Sequence, residues 1–424
     1  MSKRVDLILK EVLQRVEPSK EELKEIEKVL AEFLKNLRTR IKASKIRVEI
    51  FIGGSFAKKT LIKKDRYDVD VFLRFDKKYS NDELPSLTKK ILKGFEKVGV
   101  VHGSRDYFRV NSNPFLYFEI IPVRKVSNPQ QAENITDLSY SHVNYVKRKV
   151  KKDLLREIMI AKAFCHAKDC YGAESYIRGF SGYSLELLVY YYKGFLNFVR
   201  TVAKIKEKEI IDIEKLYKSK RNVLMDVNSS KLQSPIILID PTHKQRNALA
   251  ALSEETFRKF QKECKKFLKS PSLKDFENKK TDLERIKKNA EKNKNEFVLL
   301  EISTDKQAGD IAGSKLLKFY KHFESEVREF FMVKNSGFEY DDKKSARCFF
   351  VVKKKKEIVL NGPSLKDLKN LRKFKKKHKK TFVKKHRVYA RETPRLDIKD
   401  FIKVWKKKNQ KRVREMYVKI IKVC

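Results

Sequence analysis

Residues 53–75 read GGSFAKKTLIKKDRYDVDVFLRF, and this stretch decides the fold. It begins with a glycine–serine turn after an apolar run and ends in the alternating pattern of a β-strand. Successive side chains of a strand point to opposite faces, so Asp68 and Asp70 share one face while Val69 and Val71 lie on the other. The stretch therefore predicts a strand, a tight turn and a second strand that presents two carboxylates together.

Two neighbouring carboxylates repel each other unless a cation lies between them, and magnesium prefers such oxygen ligands. Transfer of a nucleotide through two metal ions needs carboxylates that hold the ions about 3.5–4 Å apart. Glu119 is the best third ligand, because it is the only acid in the apolar run YFEII, where an unpaired charge would be costly. We therefore expect Asp68, Asp70 and Glu119 to be catalytic and to bind Mg2+. Taken alone, Asp-Val-Asp also occurs at exposed strand edges that have no catalytic role.

The turn before this strand offers groups that bind phosphate. They are the backbone N–H groups around Gly54, the hydroxyl of Ser55 and the ammonium group of Lys58. Such groups hold the phosphates of a nucleotide. We expect these three residues to contact a nucleoside triphosphate beside the carboxylates.

The composition points to a nucleic-acid partner. Lysine and arginine number 101 against 55 acidic residues, a formal net charge of +46 over 424 residues, and nucleic acid is the polyanion that best balances such a charge. An anionic membrane surface would also attract it, but the best apolar run is broken by Glu186 and Lys193 and is too short to span a bilayer. Five irregularly spaced cysteines favour a reducing cytoplasm. A zinc site at Cys165, His166 and Cys170 lacks a second pair of ligands.

The pattern along the chain predicts an α+β multidomain fold. We expect an α/β head at 1–145, a helical neck at 146–270 and a small α/β body with a basic tail at 271–424. Predicted helices cover 1–42, 83–98, a long stretch from 147 beyond 202, a segment after the N-cap Ser253, and 314–331. Predicted strands cover 47–52, 69–75, 115–121, 236–240, 297–302 and 348–352.

Several motifs together resemble one family. Gly54-Ser55 followed by Asp68-Val69-Asp70 is similar to the nucleotidyltransferase superfamily of the polymerase-beta type. The segment YGAESYIRGFSGY at 171–183 closely resembles the central domain of the archaeal, class I CCA-adding enzymes (tRNA nucleotidyltransferases). DP at 240–241, RN at 246–247 and SPSL at 270–273 match further stretches of that family in order and spacing. The resemblance covers about residues 1–275 and, more weakly, 297–395.

This resemblance implies an enzyme that adds C, C and A to the 3′ end of tRNA from CTP and ATP without a template, releasing pyrophosphate. The head would be the nucleotidyltransferase domain, and the basic body would grip the acceptor and TΨC arm of tRNA. Family positions also imply further nucleotide-binding residues: Ser139 and His142 near the nucleotide, Lys162 and Tyr171 at phosphate and sugar, and Arg246 with Asn247 at the base edge. The resemblance leaves a homodimer open.

Three positions depart from the family's pattern. The third carboxylate is usually aspartate, whereas here it is Glu119, one methylene longer. Lys58 replaces the usual arginine, which keeps the charge but loses the bidentate fork. The C-terminal region is shorter and richer in lysine than in the family.

Other interpretations stay open at this point. A poly(A) polymerase would share the head and neck, and an inactive homologue would only bind RNA. His142 could be a loop histidine bonded to backbone, Lys162 a solvated helix residue, and Tyr171 a core tyrosine. The lysine runs near the C terminus could be solvated faces, although interleaved aromatic residues favour contact with RNA.

Overall fold

The computed structural model describes residues 2–103, 105–278 and 281–424. It divides into two compact units, Met1–Lys279 and Lys280–Cys424. Among the described residues, we find no helix with the length and apolar character needed to cross a membrane.

The first unit contains ten helices and eight strands among the described residues. The helices are α1 (Ser2–Val16), α2 (Lys20–Ser44), α3 (Gly54–Ala57), α4 (Leu84–Ile91), α5 (Ser139–Lys149), α6 (Lys152–Ala167), α7 (Gly182–Tyr191), α8 (Phe195–Val202), α9 (Lys220–Asp226) and α10 (Glu254–Lys269). The strands are β1 (Val48–Ile52), β2 (Tyr67–Phe75), β3 (Val98–Val101), β4 (Tyr107–Asn113), β5 (Leu116–Arg124), β6 (Glu209–Asp212), β7 (Ile236–Asp240) and β8 (His243–Asn247).

A five-stranded sheet with the order β1-β2-β5-β4-β3 carries the predicted carboxylates. Strands β2 and β5 run parallel, while β1 is antiparallel to β2 and β4 is antiparallel to β5. One face is apolar: Val69, Val71 and Leu73 of β2 are fully buried and share a core with Ile26 and Leu37 of α2. The opposite face is therefore left for the polar residues of β2 and β5.

The helical part of the first unit has its own core. It is built from α5–α8, α10 and the small sheet β6-β7-β8. Val5, Leu9 and Val12 of α1 pack into this core rather than onto the five-stranded sheet, whereas Leu7 on the same helix is 68% exposed. The three-domain division predicted from the sequence stays a prediction.

The second unit contains α11–α15 and β9–β15. The helices are α11 (Leu283–Lys292), α12 (Asp310–Phe330), α13 (Leu368–Lys377), α14 (Ile398–Lys408) and α15 (Gln410–Glu415); the strands are β9 (Glu296–Ser303), β10 (Phe331–Tyr340), β11 (Ser345–Lys354), β12 (Ile358–Ser364), β13 (Thr381–Lys384), β14 (Arg387–Glu392) and β15 (Ile420–Val423). An antiparallel sheet in the order β10-β11-β9-β15 packs against α12 and α14. A second antiparallel sheet has the order β12-β14-β13.

The basic C-terminal stretch is folded, which corrects the interpretation of its aromatic residues. Phe401 and Trp405 lie in the core of the second unit, 6% and 5% exposed, so they pack against apolar neighbours. Phe382 and Tyr389 instead stack on each other between β13 and β14, with ring centroids 5.4 Å apart.

Candidate active site

The three predicted carboxylates lie on two neighbouring strands. Asp68 and Asp70 are on β2, and Glu119 is on β5, directly opposite Asp70 in the parallel register. Since Val69 and Val71 fill the buried face, Asp68, Asp70 and Glu119 share the polar face of the sheet. The structure thus brings together the residues that the sequence placed in one site.

Repulsion and desolvation act on these carboxylates. Desolvation, with the charges of Glu119 and Asp68, raises the pKa of Asp70 to about 7. Burial also raises the pKa of Glu119, against the opposing effect of Arg109, whose Nη2 donates to Oε1 at 2.9 Å. Lys64 Nζ donates to Asp68 Oδ1 at 2.6 Å. Two of the three carboxylates are therefore paired with basic side chains, and Asp70 bears the unrelieved repulsion.

This donor set fits a magnesium ion in its chemistry. Hard carboxylate oxygens are the ligands that magnesium prefers, and a divalent cation would relieve the repulsion that raises the pKa of Asp70. Within the described parts of the chain, no three His, Cys, Asp or Glu side chains already converge on a metal position. Glu119 is instead paired with Arg109, and Asp68 with Lys64.

The turn at 53–60 lies against Asp70. The N–H of Gly53 donates to the carbonyl oxygen of Asp70 at 2.9 Å. Gly54 has φ +62°, and a Cβ atom there would lie 1.6 Å from Asp70 Oδ2, so only glycine fits at this position. This close approach places Ser55, the next residue in α3, beside the carboxylates.

A buried charge cluster holds the far end of this turn. Lys58 Nζ donates to Glu186 Oε2 at 2.6 Å, and Thr60 Oγ1 donates to Glu186 Oε1 at 2.9 Å. Lys162 Nζ lies 3.1 Å from Glu186 Oε1 and 3.0 and 2.8 Å from the carbonyl and hydroxyl oxygens of Thr60. Burial would raise the pKa of Glu186, but the two lysines lower it below its usual value.

Because Lys58 and Lys162 are both bonded to Glu186, the cluster limits their ability to bind a phosphate. Lys162 is only 2% exposed, so it is not the solvated helix residue of the alternative interpretation. Burial lowers its pKa to about 8. Its three ammonium donors match three oxygen neighbours in the protein, so a phosphate contact would require it to exchange a partner.

A second buried acid gathers residues predicted to lie near the base. Asp240, at the end of β7, is fully buried. Its Oδ2 accepts from His142 Nε2 at 2.9 Å and from Arg246 Nη1 at 2.5 Å. Its Oδ1 accepts from the hydroxyl of Tyr183 at 3.0 Å, while the ring of Tyr183 stacks on His142 with centroids 3.9 Å apart. His142 is therefore bonded to a side chain rather than to backbone, and Ser139 lies one helical turn before it on α5.

Asn247 is separate from this group. Its Oδ1 accepts from the N–H groups of Leu238 and Leu249, and its Nδ2 donates to Lys231 O and Ser234 Oγ. These four bonds use the hydrogen-bonding capacity that an amide offers in such a site. Here Asn247 holds the chain around β7 and β8, and its predicted contact with a base stays a prediction.

Tyr171 stacks on the ring of His166, with centroids 4.0 Å apart. It is half-buried, and burial raises the pKa of its hydroxyl. A Cβ atom on Gly182 would lie 2.8 Å from that hydroxyl. His166 is thus a packing partner of Tyr171, and the described residues form no zinc-type cluster with Cys165 and Cys170.

Although the sequence reasoning named His166, Glu186 and Asp240 in other contexts, it gave no role in this site to several residues that position it. They are Arg109, His166, Tyr183, Glu186 and Asp240. One signal was available: Glu186 is a single acid in the apolar helix GYSLELLVYY, the same kind of position that identified Glu119. The others depend on long-range pairings that a single sequence does not display.

The comparisons with known proteins agree on one family. The family described as "tRNA nucleotidyltransferase, second domain" matches residues 156–277. The CCA-adding enzyme of Nanoarchaeum equitans is 40% identical over 210 residues, 49% of this chain and 52% of that protein, so this match spans about half of the relative's length. The CCA-adding enzyme of Methanocaldococcus jannaschii is 29% identical over 406 residues, 91% of this chain and 87% of that protein.

Solved structures support the fold. A cytoplasmic RNA terminal U-transferase aligns with a TM-score of 0.51 at 15% identity, covering 66% of this chain and 99% of that chain. The Cid1 poly(U) polymerase in its MgATP-bound structure aligns with a TM-score of 0.50 at 14% identity, covering 64% and 96%. At such identities the likeness shows the fold alone, and it confirms the predicted α+β multidomain fold.

The family match at 156–277 and a relative that aligns with nine tenths of the chain point the same way. Residues 156–277 match the second domain of tRNA nucleotidyltransferases, and the chain is similar to archaeal CCA-adding enzymes.

Proposed function

We propose that this protein adds C, C and A to the 3′ end of tRNA from CTP and ATP, with release of pyrophosphate. The observation that carries the proposal is the carboxylate site: Asp70 and Glu119 in parallel register, with a glycine–serine turn pressed against Asp70. The names of the relatives supply the substrate class, since they are CCA-adding enzymes.

The chain's own residues would act mainly by positioning and charge. Ser55 and the backbone N–H groups of the turn would bind the triphosphate, with Lys58 as a cation next to them. The 3′ hydroxyl of tRNA would attack the α-phosphorus, and pyrophosphate would leave. Magnesium, bound by Asp68, Asp70 and Glu119, would neutralise charge on the reacting phosphates.

The other nucleotide contacts belong to the helical part. Arg246 would engage the base edge, since its fixed donors suit base acceptors. His142 and Ser139 would lie near the nucleotide, and Tyr171 would contact the sugar. Lys162 would reach phosphate only by exchanging one of its protein partners.

The second unit would hold the tRNA. Helix α13 has the sequence LKNLRKFKKK, with no acidic residue, and the chain as a whole is strongly basic. Double-stranded RNA is read mainly through shape and phosphate, so this surface suits the acceptor and TΨC arm. We place the reaction in the cytoplasm, and a homodimer stays a prediction.

The test is to incubate the protein with magnesium, CTP, ATP and tRNA that lacks its last three nucleotides, and then to sequence the 3′ ends. We expect C-C-A ends from the wild type and a loss of at least about 100-fold in Asp70→Asn, as expected when an interaction essential to the transition state is removed. Asp65→Asn is the matched control, because Asp65 is an exposed acid five residues away.

Other outcomes would assign the chain differently. Long adenosine tails would indicate a poly(A) polymerase. Tight tRNA binding with no extension would indicate an inactive RNA-binding homologue. Equal activity of the wild type and Asp70→Asn would overturn the assignment of the site.

A further inference from the structure

One fully buried carboxylate connects the side chains around the proposed base site. Asp240 is 0% exposed and accepts five hydrogen bonds through two oxygens. Burial opposes its charge, but the bond from His142 and the charge of Arg246 lower the pKa of Asp240. The group is therefore a carboxylate whose orientation is set from several directions.

The two oxygens of Asp240 have different neighbours. Oδ2 accepts from His142 Nε2 and Arg246 Nη1, whereas Oδ1 accepts from the hydroxyl of Tyr183 and from the N–H and Oγ1 of Thr242, both at 2.8 Å. The bonds at Oδ1 prevent the carboxylate from rotating. Oδ2 consequently stays at the point where it holds Arg246.

This anchoring fixes a side chain that is otherwise flexible. The guanidinium of Arg246 is planar, so a hold at Nη1 limits the directions in which its other donors can point. The ring of Tyr183 lies below the guanidinium, 5.8 Å from it, and removes further freedom. The Arg246 side chain keeps 19% of its surface exposed, so it remains accessible to a ligand.

We propose that Asp240 is a positioning residue for nucleotide choice, which holds the donors of Arg246 in one direction. This inference rests on the proposed function. On their pairing edges cytosine and adenine each present an unprotonated ring nitrogen, whereas uracil and guanine present a ring N–H at that place. If the donors of Arg246 are held in a fixed direction, they can bond to the ring nitrogen of cytosine or adenine. They would face the ring N–H of uracil or guanine, and two donors that face each other leave a buried group unpaired. A mobile guanidinium could turn away and tolerate both kinds of base.

The decisive measurement is the ratio of kcat/KM between competing nucleotides. Single additions to truncated tRNA give kcat/KM for CTP, UTP, ATP and GTP, and the CTP-to-UTP and ATP-to-GTP ratios do not depend on the fraction of folded protein. Asp240→Asn keeps the shape but has one acceptor oxygen instead of two. We expect both ratios to fall at least about tenfold, a loss equivalent to about 1.4 kcal/mol of discrimination.

The matched control is Asp275→Asn. Asp275 is also buried, at 5% exposure, and pairs with Lys168 at 3.0 Å within the same unit. The substitution Asp275→Asn removes a buried charge pair away from the proposed base site. It should therefore reduce stability while the CTP-to-UTP and ATP-to-GTP ratios remain unchanged. The double variant Asp240→Asn with Arg246→Gln should discriminate no worse than Arg246→Gln alone, because both changes act through the same guanidinium.

A milder variant keeps the test informative if Asp240→Asn does not fold. Tyr183→Phe with Thr242→Val removes the two hydroxyl bonds to Oδ1 and leaves only the bond from the N–H of residue 242. Asp240 keeps its charge and its bond to Arg246, and we expect the ratios to fall about threefold. Unchanged ratios in a folded, active Asp240→Asn or in the milder variant would overturn the inference, as would additive losses in the double variant. If the wild type itself added no nucleotides, the proposed function would fail instead.

Discussion

Asp70 is a predicted metal ligand, but its burial beside two other carboxylates makes its negative charge costly to the folded state. Its folded pKa of about 7 lies above its usual value of 3.8, so between these values the folded state binds more protons than the unfolded state. Stability therefore falls as the pH rises across this window. The proton relieves repulsion that magnesium would relieve in the working enzyme.

We expect Asp70→Asn to be more heat-stable than the wild type at pH 8 without magnesium. A gain of 1 kcal/mol corresponds to about 2–4 °C in the melting temperature of a domain of this size, and the difference should shrink toward pH 5. Thermal unfolding followed by circular dichroism measures it. Magnesium should raise the melting temperature of the wild type and not that of Asp70→Asn, and an equal response of both proteins would contradict the predicted metal site. Asp65→Asn should behave like the wild type.

The residues of the site show what a single sequence can predict. Asp68 and Asp70 were found because alternation puts them on one face of a strand that follows a glycine–serine turn. Glu119 was found because a lone acid in an apolar strand is costly unless it is paired or bound to a metal. Asp240 was matched to the family as part of DP at 240–241, but it was given no role, because the sequence does not show that its carboxylate is buried. Two of the donors to its five hydrogen bonds, His142 and Tyr183, come from distant parts of the chain, and only the folded structure brings them to this carboxylate.

At the level of elements, strong local patterns were predicted well and weak ones were not. Strand β7 begins and ends where the apolar run IILID does, and Ser253 caps α10 through a bond from the N–H of Thr256. The helix predicted over 83–98 stops at Ile91, and the antiparallel pair β3 and β4 follows it. Strand β3 was missed because it is only four residues long and has Gly99 within it. Strand β4 was missed although Phe108 and Val110 alternate with Arg109 as expected for a strand.

Helix α7 contributes the acid that balances two buried lysines. We expect Glu186→Ala to lower the free energy of unfolding by about 3–5 kcal/mol, because Lys58 and Lys162 would lose their counter-charge. Urea denaturation measures this loss. Glu254→Ala is the control: Glu254 pairs with Arg258 on the surface of the same unit, and such exposed pairs contribute about 0.3–0.5 kcal/mol. Similar losses in the two variants would show that the buried cluster does not stabilise the fold.

On the scale of the whole molecule, the excess of basic residues was easier to interpret than the secondary structure of the C-terminal region. The end of the region 271–424 was expected to be a basic tail, but it contains α13, α14 and α15, all three strands of the sheet β12-β14-β13, and the edge strand β15 of the other sheet. In a lysine-rich segment the few apolar residues are widely spaced, so the periodicity that would indicate a helix or a strand is hard to recognise in the sequence. Only the buried positions, such as Phe401 and Trp405, carry that signal.

The basic surface leads to a prediction about RNA binding. We expect Lys373→Glu with Lys376→Glu, both exposed on α13, to weaken tRNA binding and to reduce the slope of log K against log salt by about 1 for each phosphate that the protein no longer neutralises. Fluorescence anisotropy at several salt concentrations measures both effects. Lys287→Glu with Lys288→Glu, exposed on α11, gives the same change of charge elsewhere in the unit. An equal loss of affinity in both variants would show that total charge, rather than α13, governs binding.

The cluster at Glu186 has a consequence for the evolution and engineering of this protein. Lys58 and Thr60 come from the turn of the five-stranded sheet, while Lys162 and Glu186 come from helices with a separate core. A chimera that took its sheet from one relative and its helices from another would inherit two intact cores and a mismatched junction. Recombination between relatives should therefore succeed when positions 58, 60, 162 and 186 are inherited together, and fail when they are separated.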